Sequence, residues 1–374
     1  MVEAARFALP LASELEATRP GLIGLAELKL SDALDGLVAL AGSDLLLSCG
    51  SAPRIRCDGQ LKALPGTNVL QPDEVAAMLQ EVISPDRWAE LAATRNLDFS
   101  FTWKGQARIR GNAFFQRGSP AAAFRLLPLS IPTFDELGIP AAVQSLVDVS
   151  HGLVLVTGPT GSGKSTTQAA LIDYINRTRA CHVVTIEDPI EYVHRHQMAI
   201  VDQRQLGVDV LSFADALRSV FREDPDVVLI GEMRDLETIA SALTIAETGH
   251  LVIATLHTND ASQAIDRILD GFPTGQQQQV RIQLSACLAG VVYQQLLPAI
   301  GGGRLAAFEV LMSNSAIRAL IKEGKTNQIR NVLMTSLRDG SQTLERSMNE
   351  LLQGGLVAEK EARTRSLYPQ ELGV

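Results

Sequence analysis

The run Gly158-Pro-Thr-Gly-Ser-Gly-Lys-Ser165 fits the spacing GxxxxGK[ST] at every defined position. Glycines let a backbone curl until several N–H groups point at one anion. Lys164 is a flexible point charge that can reach β- and γ-phosphates, and Ser165 offers a hydroxyl of the kind that ligates Mg²⁺. Thr166 opens a helical segment whose positive dipole end would face the same phosphates. Gly158, Pro159, Thr160, Gly161, Ser162, Gly163, Lys164, Ser165 and Thr166 are therefore the candidate nucleotide cradle, with ATP and Mg²⁺ as expected occupants. An accidental glycine-rich turn would lack the apolar run before it and the helical segment after it.

Three further segments carry chemistry. Val227-Val-Leu-Ile-Gly-Glu232 is an apolar strand ending in a carboxylate, the form of a Walker B segment, and Glu232 is the candidate for activating the attacking water. Thr185-Ile-Glu-Asp-Pro-Ile-Glu-Tyr192 holds Glu187, Asp188 and Glu191, which could tune a metal and its water. A solvated acidic turn beginning at Asp188-Pro189 accounts for the same residues. Glu247–Thr258 puts His250 and His257 at the two ends of a strand-like run. Extended chain would hold them over ~20 Å apart, too far to share a metal. A histidine beside a γ-phosphate can hydrogen-bond it and report its loss; the rival is a purely structural histidine.

These groups need strands and helices to hold them. Gly152–Thr157, Val183–Ile186, Val227–Ile230 and Leu251–Thr255 are continuous apolar runs, as buried parallel strands are. Helical segments at Thr166–Asn176, Phe213–Phe221 and Asp235–Ala246 separate them, which predicts a parallel α/β sheet. After about Gln276 the pattern reads mostly helical. Upstream lies a smaller α+β pattern. Ser31–Leu40 and Asp73–Val82 have helical spacing; Asp44–Ser48, Pro53–Cys57, Gln60–Leu64, Leu97–Trp103 and Ala107–Ala113 read as strands, with Asp58-Gly59 as a tight hairpin turn. Leu127–Pro140, with Pro128, Pro132 and Pro140, reads as a hinge. The expected division is an extension over residues 1–28, an α+β domain over 29–127, a linker over 128–148 and an ATPase domain over 149–374 whose C-terminal part is helical.

A chain of 374 residues has room for two or three domains. Its formal net charge of −9 argues against wholesale binding to nucleic acid or anionic lipid. Cys49, Cys57, Cys181 and Cys287 form no CxxC pair, so no zinc site is expected and reduced thiols fit. No apolar stretch has a membrane-spanning length, and the charged N-terminus does not read as a signal peptide, so the cytoplasm is the expected location.

Gly158–Thr166, Thr185–Tyr192, Arg222-Glu-Asp-Pro-Asp-Val-Val-Leu-Ile-Gly-Glu-Met-Arg-Asp235 and Glu247–Thr258 stand in the order of the type II and type IV secretion ATPases. The set resembles most the pilus-retraction branch of that superfamily, over about residues 30 to 365. Ala316-Ile-Arg-Ala-Leu-Ile-Lys-Glu323 resembles that branch's C-terminal helix motif, departing from it at Ala319 and Lys322. Leu46 stands where the family tends to have a histidine. The resemblance implies a PAS-like N-terminal domain, a RecA-like P-loop ATPase domain and a homohexameric ring. It implies ATP hydrolysis that powers pilus retraction and twitching motility from the inner-membrane base of the pilus. The implied partners are a platform protein and other pilus ATPases. It also implies that arginines of the N-terminal domain close on the phosphates. Ala107-Arg-Ile-Arg-Gly-Asn-Ala-Phe114 and Phe124-Arg-Leu126 match, naming Arg110 and Arg125, whose rival reading is strand-face pairing with Asp or Glu. Arg218, Arg222 and Arg234 would line the subunit interface. An accessory retraction motor, a secretion or assembly ATPase, and a non-catalytic nucleotide-binding regulator are the alternatives.

Overall fold

Helix α1 (Leu30–Ala39) buries Leu30, Ala33, Leu34 and Leu37, the three-and-four spacing of one helical face. Strand β1 (Asp44–Ser48) follows, with Leu45 and Leu47 buried and their neighbours partly exposed, the two-residue period of a strand covered on one side. β2 (Arg54–Cys57) and β3 (Gln60–Ala63) pair antiparallel from Cys57↔Gln60 outward. Helices α2 (Pro72–Gln80) and α3 (Pro85–Thr94) each begin with proline, whose missing N–H costs nothing in the first turn. β4 (Asn96–Trp103), β5 (Ala107–Gln116) and β6 (Ser119–Leu127) complete a six-stranded sheet in the order β3-β2-β1-β6-β5-β4. The sequence pattern did not single out α3 or β6.

The computed structural model describes residues 28–40, 42–57, 60–105, 107–127 and 130–373. The expected extension up to residue 27, the Asp58-Gly59 turn and Pro128 lie outside the described residues. The chain divides into two units, one of residues up to 98 with 111–126, the other of 99–110 with 127 onward.

In the second unit, α4 (Phe134–Leu137) is a single turn capped by Thr133, whose Oγ1 accepts from the Glu136 N–H at 3.3 Å. α5 (Ala141–Val147) buries Val143, Leu146 and Val147. Then come β7 (Gly152–Thr157), α6 (Lys164–Thr178), β8 (His182–Glu187), β9 (Ile200–Gln205), α7 (Phe213–Val220), β10 (Val227–Ile230), α8 (Leu236–Glu247), β11 (Leu251–Leu256), α9 (Ala261–Asp270) and α10 (Thr274–Cys287). β12 (Leu288–Pro298) and β13 (Arg304–Met312) form a hairpin. α11 (Ser315–Glu323), α12 (Ile329–Thr335), α13 (Leu344–Gln353) and α14 (Glu359–Arg365) close the unit.

The sheet runs β13-β12-β7-β11-β10-β8-β9, with every neighbouring pair parallel except β12 and β13. Every residue of β7, β10 and β11 is buried, as a sheet covered on both faces requires. Leu153 and Leu155 join the core on one face, with α8, α9 and α10; Val154 and Val156 join the other, with α5 and α6. After Gln276 the chain is mostly helical, as expected, with α10 to α14, but it also contributes β12 and β13, which the sequence pattern did not single out. An apolar run such as Leu288–Leu297 suits a buried helix or a buried strand equally, and pairing with β7 decides for the strand.

Candidate active site

Four parallel strands end beside one another and deliver the chemistry. The glycine loop follows β7, Glu232 lies two residues beyond β10, His257 follows β11 and Glu187 ends β8. Ligands of open parallel sheets bind outside the carboxyl ends of the strands. Adjacent ends are also cross-tied: the Gly231 N–H donates to Ile186 O at 2.8 Å, the Met233 N–H donates to Thr255 O at 3.1 Å, and the Thr255 hydroxyl donates to Gly231 O.

The loop conformation needs its glycines. Gly158 sits at φ +146, and a Cβ there would stand 2.3 Å from the Gln294 carbonyl oxygen and 2.7 Å from Ser162 Oγ. Gly163, at φ +88, precedes α6 and turns the chain into it. Gln294 of β12 holds the loop from beneath, its Nε2 donating to Ser162 O at 2.5 Å. Ser162 Oγ is buried with no partner among the described residues. Curled glycines, an unspent hydroxyl and a helix N-terminus together suit a phosphate chain.

Lys164 is buried in the loop. Its Nζ donates to Gly158 O at 2.9 Å and Pro159 O at 3.0 Å, and lies 3.3 Å from His257 Nδ1. Burial lowers its affinity for the proton, and the charge of Glu232 opposes that. His257 Nε2 stands 3.1 Å from Glu232 Oε1, and Arg234 Nη2 stands 2.8 Å from Glu232 Oε2. Burial alone would raise the Glu232 carboxyl; the hydrogen bond and charge of Arg234, with His257 and Lys164, outweigh it and hold the group below the usual range. Glu232 is thus an ionised acceptor at neutral pH, better suited to orienting water than to keeping its proton.

Glu187 sits deeper. Its Oε1 accepts from Thr185 Oγ1 at 2.6 Å and from Gln203 Nε2 at 3.0 Å, and burial pushes its carboxyl above the usual range. Among the residues of the acidic segment, Tyr192 reaches the nucleotide cradle: its hydroxyl lies 2.9 Å from Thr166 Oγ1. Ser165 occupies the second position of α6, directly after Lys164. No group of three or more His, Cys, Asp or Glu among the described residues is placed to hold a metal ion. The Ser165 hydroxyl nevertheless fits Mg²⁺, which takes one or two protein ligands and fills its shell with phosphate oxygens and water.

His250, Arg125 and Arg218 have partners of their own. His250 is at the opposite end of β11, its Nδ1 3.1 Å from Ile245 O and its ring edge-on to Phe221, a structural placement. Arg110 lies mid-way along β5, half-buried. Arg125 of the first unit faces Asp44 across the β1–β6 ladder, with Nε 2.9 Å from Oδ1. That is the strand-face pairing its residue type also allowed. Arg218 pairs with Asp215 and Glu237. Gln294, Gln203 and Arg234's grip on Glu232 had no signal in the sequence, because each works through tertiary contact.

An α/β sheet with a P-loop after the interior strand β7 and an ionised carboxylate beyond β10, two strands away, defines a RecA-like P-loop ATPase. The family described as Type II/IV secretion system protein matches residues 130–302. The type IV pilus retraction ATPase PilT of Pseudomonas aeruginosa is 45% identical over 328 residues, 88% of this chain and 95% of that protein. A twitching motility protein of Neisseria gonorrhoeae is 46% identical over 315 residues, 84% of each chain. The crystal structure of the pilus retraction motor PilT with bound ADP superposes with a TM-score of 0.88 at 48% identity, covering 92% of this chain and 99% of that one. The chain belongs to the type IV pilus retraction ATPases; it binds nucleotide and is an ATP hydrolase.

Proposed function

We propose that this chain, as a homohexamer at the cytoplasmic face of the inner membrane, converts ATP hydrolysis into retraction of a type IV pilus and so into twitching. The observation that carries the catalytic part is the unbroken line Lys164–His257–Glu232, with contacts of 3.3 and 3.1 Å. Lys164 and the loop amides neutralise charge developing on the phosphates. Glu232, fixed by Arg234 and His257, aligns water against the terminal phosphorus. His257 lies between the two and contacts both. Ser165 would hold Mg²⁺, which when bound neutralises phosphate charge. Glu187 braces the strand ends through Thr185 and Gln203. The names of the similar proteins support the retraction reading. Among the described residues no helix is long and apolar enough to cross a membrane. The expected partner at the pilus base is the platform protein.

Glu232→Gln should keep nucleotide affinity and lose turnover by about 10²-fold or more. In a deletion strain, wild type but not Lys164→Ala should restore twitching and remove excess surface pili. A strain without any pili would point instead to filament assembly.

A further inference from the structure

The second unit includes residues 99–110, the end of the β4–β5 hairpin, and one arginine there has a use that the nucleotide site does not explain. Arg108 Nη2 donates to Ser100 Oγ at 2.5 Å and to Gln205 Oε1 at 3.3 Å, while its Nη1 donates to Thr102 Oγ1 at 3.3 Å. Ser100 Oγ donates to the same Gln205 oxygen at 2.7 Å. A third donor, the Ile190 N–H, reaches that oxygen at 3.3 Å. Three donors from two separate stretches of chain therefore converge on one buried amide oxygen.

Gln205 is well placed to pass that grip on. It is the register partner of Glu187 across β8 and β9, and the next N–H, that of Leu206, donates to Glu187 O at 2.9 Å. Ile190 lies within the Glu187–Tyr192 loop. That loop is pinned at its far end too: Gln203 Nε2 donates to Tyr192 O at 2.8 Å, and the Tyr192 hydroxyl meets Thr166 of the nucleotide cradle at 2.9 Å. Burial weakens the hold of Arg108 on its proton, and the charges of Asp209 and Glu187 partly offset that.

We propose that Arg108 is a positioning residue for ATP hydrolysis, acting through Gln205 on the loop from Glu187 to Tyr192. Its guanidinium fork can hold Ser100, Thr102 and Gln205 at once, which an ammonium cannot do with the same geometry. The loop it steadies runs from the half-buried Glu187 carboxylate to Tyr192, which contacts the first turn of α6. Losing the fork would let the strand-end groups drift from the geometry that hydrolysis needs, and small drifts cost rate more than binding. This inference rests on the ATPase reading above, and the test separates the two.

Full-length wild type, Arg108→Met, Arg108→Lys, Gln205→Leu and the Met/Leu double variant are assayed for steady-state ATP turnover and for affinity toward a fluorescent ATP analogue. Wild-type turnover that vanishes in Glu232→Gln secures the ATPase reading independently. Arg108→Met is expected to lower kcat about tenfold with analogue affinity within twofold, Lys is expected to recover part of the loss, and the double variant to be no worse than the poorer single one. Unchanged kcat in Arg108→Met, or losses that multiply in the double variant, overturns the proposal. Should Arg108→Met fail to fold, Ser100→Ala removes one donor alone and is expected to lower kcat two- to threefold; no change there overturns it equally.

Discussion

His257 presents one ring nitrogen to Glu232 at 3.1 Å and the other to Lys164 at 3.3 Å, so a single imidazole joins the anion and the cation of the site. Removing it would leave both groups without a fixed separation. His257→Ala should lower kcat by ~10² with nucleotide affinity changed only a few-fold, read from turnover and from titration of a nucleotide analogue. A structural histidine would instead lose melting temperature and keep kcat.

Gly158 and Gly161 both have positive φ, but only Gly158 is crowded: a Cβ at Gly161 meets nothing within 4 Å, against 2.3 Å from backbone oxygen at Gly158. Gly161→Ala should therefore cost about 1–2 kcal/mol of backbone strain and keep nucleotide binding. Gly158→Ala must push β12 away from the loop, and should lose nucleotide affinity at least tenfold. Thermal unfolding and nucleotide titration on both variants make the comparison.

Glu309 of β13 accepts from the Ala261 N–H at 2.8 Å, and burial raises its carboxyl to about 7. An acid whose folded pKa lies above its unfolded value binds more protons when folded. Its contribution is full below the unfolded pKa and is lost as pH rises toward about 7. The stability of wild type relative to Glu309→Gln should thus fall between about pH 4.5 and 7, by on the order of a few kcal/mol, and level off above. Denaturant unfolding across that range tests the sign; a rising difference would contradict it.

Arg330 sits among Glu371 at 2.8 Å, Glu345 at 3.2 Å and Glu309 at 3.8 Å, with its guanidinium carbon 3.4 Å from the centre of the Tyr368 ring. Arg330→Met would leave carboxylates buried without their cation. A loss of about 3–5 kcal/mol in equilibrium unfolding is expected, far beyond what exposed pairs such as Arg346–Glu350 contribute.

The P-loop, the Glu232 strand and the alternation of strands with helices were legible because each is local: a fixed spacing, an apolar run, a helical period. β12 was not. Its residues are apolar enough for either buried element, and only the ladder to β7 distinguishes them. β9 was missed for a related reason, since an edge strand with Asp202, Gln203 and Arg204 shows little apolar signal. The ring of support around the chemistry was hidden altogether. Gln294 reaches a main-chain oxygen 132 positions away, and a main-chain oxygen leaves no mark in a sequence. Arg125 shows the converse limit: its residue type suits phosphate and carboxylate alike, and the fold supplies Asp44.

The anchoring of the loop by β12 also bears on how the chain is made. Residues 152–256 carry the phosphate loop and both strands that flank it on one side, so these emerge from the ribosome early. The strand that supports Ser162 ends at Pro298 and comes later. A nascent chain stopped near Cys287 would carry the whole GxxxxGKS motif yet lack its floor. Competence to hold nucleotide should appear abruptly as the β12–β13 hairpin leaves the exit tunnel, so that the phosphate loop waits on the late arrival of β12 beneath it.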